Sequence, residues 1–199
     1  MKSTKEEQYW TTRYRKAQTG WDIGYPSTPI KTYVDQLKDK DKKILIPGAG
    51  NAHEATYLWK KGFTKVYVLD ISKLPLENFK RENPSFPQAQ LLHENFFDHQ
   101  GQYDLVLEQT FFCSFRPTRD NRSAYAKQMA ALIRPKGKLV GLWFNFALSQ
   151  DMENPPFGGH KEEYLGYLAP YFKPISFETA HNSIAPRQGK ELFGIFERK

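Results

Sequence analysis

The residues with the clearest chemistry follow a short apolar run. KILI (43–46) leads through Pro47 into Gly48-Ala49-Gly50-Asn51, and a helical pattern opens at His53. Two glycines there allow a tight turn and a close approach of backbone to ligand. The helix N-terminus behind them favours an anionic group. A second apolar run, KVYVLD, ends in Asp70, 20 residues after Gly50. A carboxylate at that point can accept both hydroxyls of a ribose. The implied chemistry is capture of a nucleoside-bearing cofactor.

Two cofactor classes fit the residues. Dinucleotide-binding turns usually carry a third glycine, and here that position is His53. No separate substrate domain follows either. S-adenosylmethionine proteins use a looser turn and commonly end in an antiparallel strand pair. The residues favour S-adenosylmethionine and leave an NAD-type protein as the alternative. Farther on, Glu94-Asn95-Phe96-Phe97 leaves a third strand where an adenine would lie. Asn95 can bond a base edge and Phe96 can cover a ring face, while Phe97 is expected in the core.

Other motifs carry less. Asn154-Pro155-Pro156-Phe157 matches the NPP-aromatic signature of amino-methyltransferases acting on adenine or glutamine. In those enzymes it follows the fourth strand, whereas here it follows the fifth. It is expected to help cover an acceptor pocket; the alternative is N-methyl transfer to nucleic acid or protein. Cys113, after Phe111-Phe112, reads as a core thiol. Arg187 could steer an anionic acceptor. His53 reads as structural, and the other four histidines have no motif context. Some of Phe111, Phe115, Trp143, Phe146 and Phe157 are expected to line the acceptor pocket. No catalytic dyad and no metal-ligand spacing stands out.

These residues need a scaffold, and the hydrophobic pattern supplies one. Strand-like runs at 43–46, 65–70, 103–109 and 138–146, and a third strand with its exit loop within 89–97, alternate with helical stretches at 53–61, 73–82 and 121–133. Short, near-continuous apolar strands imply a parallel sheet covered on both faces. ISFETA (175–180) and ELFGIFER (191–198) read as an antiparallel hairpin at its edge, giving seven strands in a doubly wound α/β fold. Ahead of the sheet lie a helix in the first 20 residues and a second from Thr28-Pro29. Trp10 and Tyr14 are four apart and share a face of the first. One domain over 1–199 is expected, with 1–40 as a helical lid and first helix and 41–199 as the core.

Composition narrows the classes. Aromatics reach 15% of 199 residues, more than a core of this size needs, so an aromatic-walled pocket is expected. The formal charge is +7, but Lys and Arg are scattered among acids, so a solvated basic surface is preferred to a nucleic-acid face. The lone cysteine excludes an internal disulfide and a Cys-based zinc cluster, and points to the cytoplasm. No apolar leader and no long apolar run is seen. A monomer with a small-molecule partner and no membrane is expected.

The chain resembles the thiopurine S-methyltransferase superfamily over nearly its whole length. The resemblance rests on YWTTRY, TGWDIG, ILIPGAGNAHEA, KVYVLDIS, FDHQGQYDLVLEQTFFCSF and RPKGKL; the tail is closest to the halide/thiol methyltransferase branch. It implies a class I, Rossmann-like methyltransferase using S-adenosylmethionine. It also implies that Trp10, Tyr14 and Trp21 enclose the cofactor, that Gly48 is its turn and Asp70 its ribose acid, and that Asn95 and Phe96 meet the adenine. Gln109 falls where plant relatives often have Tyr. Phe157 stands where the plant halide/thiol enzymes tend to have Tyr and lacks that hydroxyl. The implied reaction is in-line transfer of the sulfonium methyl to a thiol, thiopurine or halide-like nucleophile, which needs no strong base. Aromatic faces attract such a cation by about 0.5–2 kcal/mol per contact.

Overall fold

The computed structural model describes residues 4–147 and 154–199. Met1–Ser3, the start of the expected lid, lie outside the described residues. Seven strands form one sheet: β1 (Ile44–Pro47), β2 (Val66–Asp70), β3 (Leu91–His93), β4 (Tyr103–Gln109), β5 (Ile133–Phe144), β6 (Phe172–Thr179) and β7 (Glu191–Arg198). Their order is β3-β2-β1-β4-β5-β7-β6. β1 to β5 pair in parallel, and β7 runs antiparallel between β5 and β6. The order reverses between β1 and β4, which opens a crevice beyond their carboxyl ends.

Side-chain alternation decides which helices cover which face. Leu45 and Val106 turn toward α5 (Arg119–Leu132) and α6 (Lys161–Leu168), where they join Tyr125, Met129 and Leu168. Ile44 and Ile46 turn the other way. They meet Ile30 and Val34 of α2 (Thr28–Asp35), Leu58 of α3 (His53–Lys60) and Phe79 of α4 (Lys73–Glu82). Every residue of β1 is buried, as a strand between two helical layers must be. Burying each Leu or Ile contributes about 1.5–3 kcal/mol.

The first helix differs. α1 (Lys5–Arg15) starts at Thr4, whose hydroxyl accepts the Glu7 amide at 3.2 Å. Glu6 and Glu7 in its first turn and Arg13 and Arg15 in its last oppose the helix dipole. Yet α1 buries no residue. It lies against the body through Thr11 Oγ1 and Ser72 Oγ, 2.8 Å apart, and through Glu7 and His93, 3.2 Å apart.

Three boundaries move from those expected. α5 begins at Arg119, because the Thr118 hydroxyl caps it by accepting the Asn121 amide at 3.2 Å. β5 begins at Ile133, paired with Tyr103, so the Arg134–Gly137 turn is an excursion within the strand and shifts the register to Leu105 opposite Lys138. Lys136 takes φ of 66° there. β6 begins at Phe172 and includes Pro174, which its edge position tolerates. No described helix is long and apolar enough to cross a membrane.

Candidate active site

One cavity of about 710 Å³ lies at the crevice. It is lined by residues that follow β1, β2, β3, β4 and β5, roofed by α1 and the loop after it, and flanked by residues 155–157. The eight candidate cofactor positions, Trp10, Tyr14, Trp21, Gly48, Asp70, Asn95, Phe96 and Gln109, all line it, as do Phe157 and Arg187.

The turn after β1 is built for close approach. Gly48, Gly50 and Ala52 all adopt left-handed backbone, with φ of 57°, 55° and 53°. A Cβ on Gly48 would sit 2.0 Å from the Phe111 ring, and one on Gly50 would meet Tyr14 Oη at 2.6 Å. Asp70 fastens this turn: Oδ2 accepts the Gly50 amide at 2.9 Å and Oδ1 the Ser72 amide at 2.8 Å. Two of the four acceptor positions of the carboxylate remain for a ligand. Burial pushes the Asp70 carboxyl up to about 6, against the pull of the two amides and His93.

The roof is an aromatic cluster. Trp21 stands edge-on to Trp10 and Tyr14, with ring centroids 5.5 and 5.8 Å away. Burial, reinforced by nearby Asp70, raises the Tyr14 phenol well above its ordinary range, so it stays neutral. The loop carrying Trp21 is tied to the turn. Asp22 bonds His53 Nε2 at 2.7 Å and also accepts from Asn51. Burial opposes ionisation of Asp22, but bonds from His53, the Gly24 amide and Asn51 outweigh it and hold the acid at about 2. The same bond raises His53. The residue in place of a third glycine thus anchors the roof.

Asn95 and Phe96 sit differently from the simplest reading. Asn95 Oδ1 accepts the Phe97 amide at 2.9 Å, which leaves its amide N–H groups for a base edge. This turn reorients the aromatic pair. Phe96 is 3% exposed and packs on Phe111 and Tyr125, whereas Phe97 is 38% exposed and lines the cavity. The expectation that Phe97 is core is overturned: the turn swings its ring outward. Gln109 Oε1 accepts from the Ser27 hydroxyl at 2.7 Å, and the Ser27 amide donates to buried Glu54 at 2.9 Å.

The other end of the cavity is made of rings. Phe111, Phe115, Phe146 and Phe157 line it. Trp143 does not; it packs between Phe177 and Phe196, because its alternation on β5 turns it into the core. Phe157 is held by its amide on the Cys113 carbonyl at 2.8 Å. Cys113 lines the wall, but its Sγ donates to the Thr110 carbonyl at 2.7 Å and burial raises its thiol, so it is a protonated wall residue. Asn154 Oδ1 accepts from Tyr9 Oη at 3.5 Å. Arg187 lines the cavity, but its guanidinium donates to the Trp21 carbonyl at 2.7 Å, pairs with Glu191 at 3.4 Å and lies over the Phe144 ring. Fully buried Arg122 donates to the Gly158 carbonyl at 2.7 Å and pairs with Glu163, fastening the loop behind Phe157 to α6.

Behind this end lies a buried acid. Glu108 is fully buried; its Oε1 accepts the Phe112 amide at 2.7 Å and fixes the turn that carries Phe111 and Cys113. Its Oε2 has no hydrogen-bond partner among the described residues. Burial pushes Glu108 up to about 8, so it is mostly protonated at neutral pH. Of three further lining residues, Arg116 and Lys190 had no motif to announce them, and Arg13 stood inside YWTTRY without being assigned a role. For Arg13 the signal was its place three residues after Trp10, one turn along the same helix.

The fold is that of the class I S-adenosylmethionine-dependent methyltransferases. The chain superposes on a Burkholderia thailandensis 1,6-didemethyltoxoflavin-N1-methyltransferase, solved with S-adenosylhomocysteine, with a TM-score of 0.78 at 16% identity, covering 98% of this chain and 87% of that one. It also superposes on magnesium protoporphyrin IX methyltransferase from Synechocystis PCC 6803, solved with S-adenosylmethionine, with a TM-score of 0.70 at 14% identity, covering 98% and 95%. Within that class, the chain belongs to the thiopurine S-methyltransferase family, whose model matches residues 5–198. It is similar to a probable thiol methyltransferase 2 of Arabidopsis thaliana, 29% identical over 95% of this chain and 84% of the relative. It is also similar to thiocyanate methyltransferase 1 of Brassica oleracea, 30% identical over 98% and 87%. This places it with the halide/thiol branch and makes it an S-adenosylmethionine-dependent methyltransferase. The residues present fit that molecule: a buried acid with acceptor capacity to spare, a turn with room only for glycine, and aromatic faces above.

Proposed function

We propose that the enzyme methylates a small soft nucleophile: a thiol, a thiopurine or a halide-like anion. When bound, S-adenosylmethionine supplies an electrophilic methyl that such an acceptor takes by in-line displacement. Asp70 accepts the ribose hydroxyls, and Asn95, with Phe96 beneath, meets the adenine. Gly48 lets the chain approach closely, Gln109 adds an amide beside the turn, and Trp10, Tyr14 and Trp21 face the sulfonium and exclude water. Within a single domain, residues 1–40 supply a helical lid and the first helix of the body. Phe157 closes the acceptor side and Arg187 adds positive potential there.

One observation carries the choice of acceptor. Among the described lining residues there is no histidine, and the acids are Glu6 and Asp70, away from the wall of Phe111, Phe115, Phe146 and Phe157. A group that must lose a proton finds no base at that wall, whereas a thiolate or halide is nucleophilic already. Alignment at about 3–3.5 Å then supplies much of the rate. The test is a panel of thiols, thiopurines, iodide and thiocyanate against RNA, DNA and protein, with labelled methyl donor. Transfer to members of the small-molecule set is expected; label found only in a macromolecule would replace this reading with N-methyl transfer. We further infer a monomer working in the cytoplasm.

A further inference from the structure

The roof contains a cation with no counter-ion among the described residues. Arg13, half-buried on α1, lines the cavity, and its guanidinium carbon lies 5.8 Å from the Tyr9 ring and 5.7 Å from the Trp21 ring. Its Nε is buried and has no hydrogen-bond partner, and the guanidinium makes no hydrogen bond or ion pair with any described residue. Arg187, in the same cavity, is paired with Glu191. A guanidinium held between two rings keeps its in-plane donors free, which suits a planar, bidentate anion.

We propose that Arg13 binds the carboxylate at the amino-acid end of S-adenosylmethionine and S-adenosylhomocysteine. This rests on the cavity being the cofactor site. Arg13 belongs to the cluster around Trp21, which also holds Tyr14, and Tyr14 abuts Gly50. These two neighbours tie it to the glycine turn; the third, Tyr9, bonds Asn154 in the loop before Phe157. Charge argues the same way. A sulfonium in this cavity is repelled by a bare guanidinium, and the carboxylate is the one anionic group of the cofactor able to lie between them. An anionic acceptor is the other source of such a group, and the test separates the two.

Titration calorimetry of wild type, Arg13→Gln and Arg13→Lys would use two ligands: S-adenosylhomocysteine, and 5′-methylthioadenosine, which lacks the amino-acid end. Arg13→Gln is expected to bind S-adenosylhomocysteine roughly 10- to 100-fold more weakly. Its affinity for methylthioadenosine should stay within about twofold of wild type, and Arg13→Lys should recover part of the loss as a point charge. Equal weakening of both ligands would make Arg13 a packing residue and overturn the proposal. Unchanged S-adenosylhomocysteine affinity, with or without a raised acceptor KM, would also overturn it. Wild type binding neither ligand would bring down the cofactor site itself, an outcome distinct from failure at Arg13.

Discussion

The two ends of the cavity are built on opposite plans. At the end that holds the glycine turn, backbone does the work: three left-handed residues shape the turn, and both oxygens of Asp70 are engaged by main-chain amides. At the other end, side chains do: four phenylalanines form a wall, packed on Tyr125 and backed by buried Glu108, whose Oε2 has no partner among the described residues. A backbone-built end accepts one ligand geometry. A side-chain-built end can be resurfaced by substitution without disturbing the sheet. The family's varied acceptors would then be a property of one end only.

Substitutions that separate the ends test this contrast. The largest effect is expected from Gly48→Ala. Its Cβ would collide with Phe111 at 2.0 Å and its backbone would be strained at φ of 57°, so S-adenosylhomocysteine affinity should fall roughly 100-fold or more. Near-normal binding by calorimetry would show that the turn is not where the ligand rests. Asp70→Ala should follow, with a loss on the order of 10- to 100-fold from the missing charged acceptor. Unchanged affinity would contradict the ribose assignment.

The third effect belongs to the buried acid behind the phenylalanine wall and reads out as stability. Glu108 has its ordinary 4.5 raised to about 8 by burial. The folded form therefore favours the neutral carboxyl. The associated stability is full below about 4.5 and is lost as pH rises through about 8. Chemical denaturation should show stability falling between these limits, and Glu108→Gln should flatten that slope while leaving S-adenosylhomocysteine affinity near wild type. An unaltered slope in the variant would assign the pH dependence elsewhere. A fall in ligand affinity as large as that of Asp70→Ala would erase the distinction between the ends.

The same contrast explains what could be read from the residues alone. Strand alternation, the glycine turn and Asp70 were legible because each follows from local backbone demands. The helix and strand limits slipped where a local device intervened: the Thr118 cap, and the excursion at Arg134–Gly137 inside β5. Phe97 joins Phe96 at the cavity and leaves the core, at a turn closed by its amide on Asn95 Oδ1, a choice that composition does not record. Trp143 was drawn toward the pocket by its type but turned away by its parity on β5. Arg13 went unread because an arginine on an exposed helix is ordinary until its missing partner is seen in three dimensions. The wall at Phe157 joins residues far apart in sequence, through an amide on Cys113, and no local pattern announces it.

A helix that contributes nothing to the core leaves the core with nothing to lose. Because α1 contributes no fully buried residue, exchange of its exposed residues outside the Trp21 cluster is expected to change the stability of the protein by no more than about 0.5 kcal/mol each. Tyr9, Trp10, Arg13 and Tyr14 answer instead to the cavity and to the cluster around Trp21. The segment is a tuning surface, decoupled from the scaffold that carries it.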